Sequence, residues 1–267
     1  MSDRAWLFQL KNIGQSSAKL LQQKSKLLAC LIASLVFLTI ALPAQAASNI
    51  SPRLEEQVLQ IIRNHPEVLI ESVQAYQQQQ QQQLQSAQQA FLEELQTNPR
   101  GIVGNSPYQG AEEFEIVLVE FSDFQCPYCA QASQTLKQFM AKHGDRVTLA
   151  YKHFPITPSH PEAMNAARVA WAAEQQGKFW EVHDALFQRQ AELGENLYQE
   201  LARKFNLDLE QFERDRTLAD SAIAQDMQLA ASLGISGTPF FVMNNQAFTG
   251  AIQLDELEDI LARVSAS

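Results

Sequence analysis

The sequence predicts an α/β layer fold with a helical domain inserted into it and a helical extension in front of it. Three observations predict this. EIVLVEF, residues 115–121, is a nearly unbroken apolar run of strand length, as in a central strand covered on both faces. It leads through SDFQ into Cys126-Pro127-Tyr128-Cys129, and then Ala132, Leu136, Phe139 and Met140 mark one face of a helix. Far downstream, PFFVM (239–243) and QAFTG (246–250) flank Asn244-Asn245 as a hairpin, and Leu254 to Val264 reads as a closing amphipathic helix. Strand, helix, strand, helical block, hairpin and helix in that order make an α/β layer architecture.

In chain order, the first element is a leader. Arg4, Lys11, Lys19, Lys24 and Lys26 precede the uncharged run LLACLIASLVFLTIAL, and Pro43 then opens the small-x-small pattern Ala44-Gln45-Ala46. That run, from Leu27 to Leu42, is short for a bilayer span of about 20 residues, so residues 1–46 read as a secretory signal peptide. Left uncleaved, it would tether the chain to a membrane. The expected location is exported, periplasmic or another extracytoplasmic compartment. Beyond the leader stand 15 basic and 29 acidic residues, a formal charge of −14 with no basic cluster. Such a surface repels nucleic acid and anionic lipid. Cys30 leaves with the leader, and Cys126 and Cys129 remain.

Residues 47–97 form the expected extension. Ser51, with Pro52 at the first helical position, opens a helix whose Leu54, Val58 and Ile61/Ile62 share a face, and Asn64-His65-Pro66 breaks and restarts it. From Glu67 to Gln96 there is no Gly or Pro, and Leu69, Val73, Tyr76, Leu84, Ala87, Phe91 and Leu95 recur at helical spacing. The pattern fades across the seven glutamines Gln77–Gln83, a composition also found in disordered tracts; helix is expected because glutamine is a good helix former and both flanks keep the period. A thinly apolar helix of this length is unstable alone, so it needs a partner surface, a second copy of the chain being one.

The remaining domain, 98–267, opens with a stretch through Gly110 that reads as a linker, rich in Gly, Asn and Pro. After the strand and the CxxC helix, VTLAY (147–151) gives a second strand. Pro155, Pro158 and Pro161 then turn the chain into the helical insertion, about 157–233, in which Trp171, Phe179, Trp180, Leu186 and Phe187 sit at core spacing.

The chemistry lies in the CxxC. A strand ending at Cys126 and a helix starting near Pro127 put the first sulfur at a helix N-terminus, where free N–H groups and the macrodipole favour a thiolate. Cys126 is then expected to be the exposed, attacking sulfur and Cys129, one turn further in, the resolving one. Pro127 preorganises the first turn. A zinc site needs four ligands, and neither a second cysteine pair nor a suitably spaced histidine pair is present; an inert disulfide this short constrains little unfolded chain. Redox exchange is the expectation, with no metal and no cofactor. Glu120 lies in the apolar strand six residues before Cys126: buried, it would carry a raised pKa and relay protons to Cys129, whereas at an edge it would be a surface glutamate. Thr238-Pro239 opens a strand at a bond where a cis peptide is cheap, and cis would present the backbone of residue 238 to a substrate strand.

VEFSDFQCPYC, YKHFPI (151–156), HPEAMNAARVAWAAEQQGKFWEVHDALF (160–187) and GISGTPFFVMNNQAFTGA (234–251), in that order, resemble the DsbA-like thiol-disulfide oxidoreductases of the thioredoxin superfamily. The resemblance covers about residues 115–264. It implies a thioredoxin-like fold with an inserted helical domain, Cys126 as nucleophile, Cys129 as resolving cysteine, and Thr238-Pro239 as a cis-proline loop beside them. Glu120 falls on that family's buried acid. NHPEVLIESV in the extension is similar to the oligomerising segment of exported relatives of the suppressor-of-copper-sensitivity type, which makes residues 51–97 the expected homo-oligomer contact; the glutamine tract departs from that pattern.

Pro127-Tyr128 also departs from the Pro-His of the strongest oxidases. Tyr128 supplies no imidazolium charge, so the couple is expected between the roughly −120 mV of a strong oxidant and the −270 mV of thioredoxin. Pro-Tyr also occurs in isomerase-like relatives, so the resemblance leaves the direction open. The leader, the motif and the absence of further cysteines beyond the leader give the expectation of an oxidase that acts on exported cysteine-containing proteins and is reoxidised by a membrane quinone-linked partner. The alternatives are an oligomeric isomerase or reductase served by a membrane reductase, and a non-redox holdase that grips exported clients.

Overall fold

The computed structural model describes residues 51–157 and 159–266. The expected leader, Cys30 and Pro158 lie outside the described residues. In chain order the elements are α1 (Pro52–Asn64), α2 (Pro66–Thr97), α3 (Pro99–Val103), β1 (Tyr108–Gly110), β2 (Ile116–Ser122), α4 (Pro127–His143) and β3 (Val147–His153). The insertion follows: α5 (Ala163–Glu174), α6 (Phe179–Gln188), a 3-10 turn (Gln190–Glu192), α7 (Glu195–Lys204), α8 (Leu209–Leu218) and α9 (Asp220–Ser232). The hairpin β4 (Phe240–Met243) and β5 (Gln246–Thr249), then α10 (Leu254–Ser265), close the chain. Among the described residues no helix is long and apolar enough to cross a membrane.

Cα packing divides the chain after Glu71. In the first part, the Ser51 hydroxyl accepts from the Leu54 N–H at 3.2 Å and starts α1. His65, held at φ −130° and ψ 58°, ends it, because the residue before a proline is pushed out of the α region. The second part begins at Ser72, inside the extension that was expected to run to residue 97. The glutamine tract is helical within α2, as its helix-forming composition predicts.

The sheet has the order β1-β3-β2-β4-β5, with β2 and β3 parallel and the other pairs antiparallel. Strand β2 is central and alternates between two cores. Val117, Val119 and Phe121 face a cluster with Phe91 and Leu95 of α2 and Leu233 and Ile235 after α9. Leu118 faces the opposite layer, with Leu136 and Phe139 of α4 and Leu257, Ile260 and Leu261 of α10. The same period puts Glu120 and Ser122 on the α4 side, and the register pairs them with Tyr151 and His153. A third core fills the insertion and takes in Phe124, Cys126, Cys129 and Tyr151 together with Phe179, Leu186 and Tyr198. The cysteines therefore sit where the sheet layer meets the helical insertion.

Residues 98–110 are not the linker that their composition predicts. Asn98 caps α3 by accepting from the Gly101 N–H at 3.3 Å, and Tyr108–Gly110 adds an antiparallel edge strand to β3. Gly110 takes φ +99°, and a Cβ there would collide with the Val147 carbonyl, so a glycine that looks like a loop residue is what lets the strand close on its neighbour.

Phe139 is fully buried between α4 and the sheet. Phe139→Ala should lower unfolding stability by about 3–5 kcal/mol through lost burial and the cavity left behind. Denaturant titration checks this: a loss below about 1 kcal/mol would mean that α4 is not packed as described.

Candidate active site

Cys126 is the N-cap of α4, in extended conformation, with Pro127 at the first helical position. Its pKa is lowered to about 5. The largest cause is a hydrogen bond from the Cys129 thiol, opposed by burial; the Thr238 hydroxyl and the main-chain N–H groups of Cys129 and Tyr128 add to the lowering. Both cysteines are free thiols. Cys129 is 0% exposed, and its thiol is pushed well above the ordinary range, first by burial, then by the hydrogen bond to Cys126 and the charge of Glu120.

Glu120 is buried, 0% exposed, so the buried alternative of the sequence reading is the one realised. Neither of its carboxylate oxygens has a hydrogen-bond partner within the described residues. Burial raises its pKa to about 7, the nearby Ser122 hydroxyl pulling the other way. Strand β4 starts at Phe240 opposite Phe121, which brings the preceding residues beside the end of β2. The Thr238–Pro239 peptide is cis, and the Thr238 carbonyl accepts from Cys126 Sγ at 3.3 Å. Thr238 acts in both directions: its carbonyl favours the thiol, while its buried hydroxyl, which has no other partner among the described residues, favours the thiolate.

One expectation fails. Cys126 is not exposed: 4% of its surface is accessible. Thr238 covers it on one side, and the insertion core takes it in on the other. Gln190, in the 3-10 turn of the insertion, donates to the carbonyls of Phe124 and Cys126 at 2.8 and 2.9 Å and holds the loop against that core. Pro127 and Tyr128 stay at the surface, Tyr128 58% exposed.

Sequence reasoning missed the frame of this loop. The buried Asp123 carboxylate accepts from the main-chain N–H of Gln125 (2.7 Å) and Ile156 (2.8 Å) and bonds the His160 ring (2.7 Å). Gln125 in turn accepts from the Glu162 N–H at 2.7 Å, and the Glu162 carboxylate accepts from Tyr198 at 2.9 Å. Asp123, Gln125, His160 and Glu162 were all inside quoted motifs, yet only their adjacency in space gives them a role. Near Cys129, the Tyr151 hydroxyl and both His153 ring nitrogens are buried without hydrogen-bond partners among the described residues. Burial, reinforced by the charges of Glu120 and Cys129, pushes the Tyr151 phenol up, and burial lowers His153 to about 3, leaving the imidazole neutral.

Comparison with known proteins agrees with this geometry. The family model of the DSBA-like thioredoxin domain matches residues 117–262, and that of the copper resistance protein ScsC N-terminal domain matches residues 61–83. A solved thioredoxin-like oxidoreductase from Silicibacter pomeroyi DSS-3 is 33% identical at a TM-score of 0.58, over 64% of this chain and 99% of that one. ScsC from Proteus mirabilis, solved in a transitional conformation, shares the fold at 23% identity and TM-score 0.58, over 81% of this chain and 99% of that one. A curated relative, the Na(+)/H(+) antiporter NhaA 3 of Salinispora tropica, is 36% identical over 163 residues, 60% of this chain but 24% of that protein. The chain thus spans about a quarter of the length of the curated relatives it matches. With the first model running from β2 through the CxxC to α10, the chain belongs to the DSBA-like thioredoxin domain family.

Proposed function

We propose that this chain is an exported protein disulfide oxidase in which Cys126 is the sulfur attacked by substrates and Cys129 the resolving one. One observation carries the reading: Cys126 is held at a helix N-terminus against Thr238, directly above a fully buried Cys129 that feels the Glu120 carboxyl. The polar, donor-rich side stabilises a leaving thiolate, and the apolar side keeps its partner protonated.

In the disulfide form, a substrate thiolate attacks Cys126 Sγ, forming the mixed S–S bond and breaking the Cys126–Cys129 bond. Cys129 leaves and takes a proton from Glu120, whose pKa near 7 suits a donor at neutral pH. A second substrate thiolate then attacks the substrate sulfur of the mixed disulfide and releases Cys126 as thiolate. The substrate loses two electrons and two protons. The electrons stay on the cysteine pair, one proton reaches Cys129 by way of Glu120, and the other goes to solvent. The main chain of Thr238 offers an edge to an extended substrate segment, with Pro239, Pro127 and Tyr128 around it. A membrane quinone-linked partner restores the disulfide. Export rests on the leader pattern of residues 1–46 and on the likeness to a periplasmic thioredoxin-like protein from Salmonella enterica serovar Typhimurium.

An isomerase or reductase is the second reading, favoured by the extension. Leu54, Val58, Ile61, Leu69 and Ile70 are all exposed, and the ScsC N-terminal match begins among them. Association of copies through residues 51–97 would cover these side chains.

Three outcomes are expected. In the reduced protein, thiolate absorbance should titrate near pH 5, vanish in Cys126→Ser, and move up by about one to two pH units in Cys129→Ala, which removes the principal donor. A titration near pH 9 in the parent chain would remove the basis for an oxidising couple.

The raised folded-state pKa of Glu120 contributes stability that is fully present below its model value of 4.5 and lost as pH rises through about 7. Glu120→Gln should therefore gain about 2–3 kcal/mol on the parent between pH 4.5 and pH 8, read as the difference of two denaturation series. A pH-independent difference would place the carboxyl in water.

Finally, the purified chain should oxidise reduced, unfolded ribonuclease, and sedimentation should report its mass. No oxidation by the disulfide form would sink the oxidase reading. Rescue of scrambled ribonuclease by an oligomer, lost on deleting residues 51–97, would establish the isomerase reading in its place.

A further inference from the structure

The glutamine-rich helix reaches the loop that carries Thr238. Leu233 closes α9, and the last carbonyls of a helix have no intrahelical donor. Gln88 of α2 supplies one: its Nε2 donates to the Leu233 carbonyl at 2.9 Å. The chain then turns on Gly234, at φ +71°, whose N–H bonds the Ala231 carbonyl at 3.1 Å while the Ile235 N–H bonds that of Ala230 at 2.9 Å. Helix α2 closes on this turn as well, since a Cβ at Gly234 would come within 2.9 Å of Leu84 Cδ1. Leu233 and Ile235 are buried with Phe91 and Leu95 of the same helix.

Three residues beyond Ile235 stands Thr238, its carbonyl 3.3 Å from Cys126 Sγ. The intervening Ser236 and Gly237 are exposed, and a Cβ on Gly237 would meet nothing within 4 Å. The near end of the loop is therefore fixed by α2 and the far end by β4.

We propose that α2 positions the Thr238 loop over Cys126, with Gln88 and Leu84 as positioning residues, so that whatever binds or releases the glutamine-rich helix changes the redox poise of the cysteine pair. This rests on Cys126–Cys129 being an exchanging couple. Loosening the loop withdraws both the Thr238 carbonyl, which favours the Cys126 thiol, and the Thr238 hydroxyl, which favours the thiolate and is the contribution that lowers the Cys126 pKa. A less stabilised thiolate makes a less oxidising disulfide, because strong oxidants owe their potential to a stabilised reduced form.

The test uses the full chain with Gln88→Ala, Leu84→Ala and, as a control on the same helix, the exposed Gln89→Ala. Each is equilibrated with glutathione redox buffers and, when reduced, titrated by thiolate absorbance. Gln88→Ala and Leu84→Ala should need about two- to tenfold more reduced glutathione for half reduction, and their thiolate titration should move to higher pH, with Gln89→Ala matching the parent. If both variants keep the parent's circular dichroism, glutathione midpoint and titration curve, the positioning role is refuted. If the parent itself neither equilibrates with glutathione nor shows a depressed thiolate titration, the redox reading falls first, and the positioning role with it.

Discussion

Everything at this site depends on holding two sulfurs one helical turn apart in opposite surroundings. Cys126 caps α4 and meets main-chain donors, while Cys129 points into a core with no accessible surface. A strand running straight into a helix creates that contrast with no further residues, because the N-terminus of the helix leaves N–H groups unpaired at the first sulfur and turns the second inward. Cys129 is itself the principal donor to Cys126. The pair is thus one electrostatic object, and neither sulfur's acidity belongs to it alone.

The sheet supplies the layer beneath. Because side chains alternate along β2, one register choice puts Val117, Val119 and Phe121 in one core and sends Glu120 and Ser122 under the cysteine helix. The parallel pairing with β3 then brings Tyr151 and His153 onto the same face, so the polar groups near Cys129 follow from the register that builds the apolar core. The insertion closes this layer from the other side, with Phe124 stacked on Tyr151 at 5.3 Å and Gln190 tying down the loop carbonyls. The register that builds the apolar core thus also buries the Glu120 carboxyl beneath the cysteine helix.

Much of this was legible from residue order. EIVLVEF reads as a two-sided central strand, Pro127 marks the helix start, and the helical period carries α2 through its glutamines. Periodicity does not tell how far a neighbouring segment will lean over a side chain, so Cys126 was expected to be exposed when Thr238 and the insertion in fact enclose it. Residues 98–110 have the composition of a linker, but Gly110 is there for a close backbone approach that only the folded sheet makes visible. Gln88 could not be singled out among so many glutamines: its partner, Leu233, is 145 residues away, and a side-chain amide bonding a helix end leaves no trace in hydrophobic patterning. The seven residues expected at the site lie within local motifs, whereas the frame of Asp123, His160, Gln125 and Glu162 exists only between motifs and leaves no local signal.

Tyr128 shows how such a site divides its labour. Its main-chain N–H faces Cys126 Sγ, whereas its ring is turned to solvent. The backbone of this residue belongs to the chemistry and its side chain to the outside world. A change of ring at position 128 can accordingly alter which surfaces settle over the sulfurs while the N–H geometry that tunes them stays in place. That separation leaves the outer surface over the sulfurs open to change at a single exposed position, like exchanging the bit of a tool without regrinding its shank.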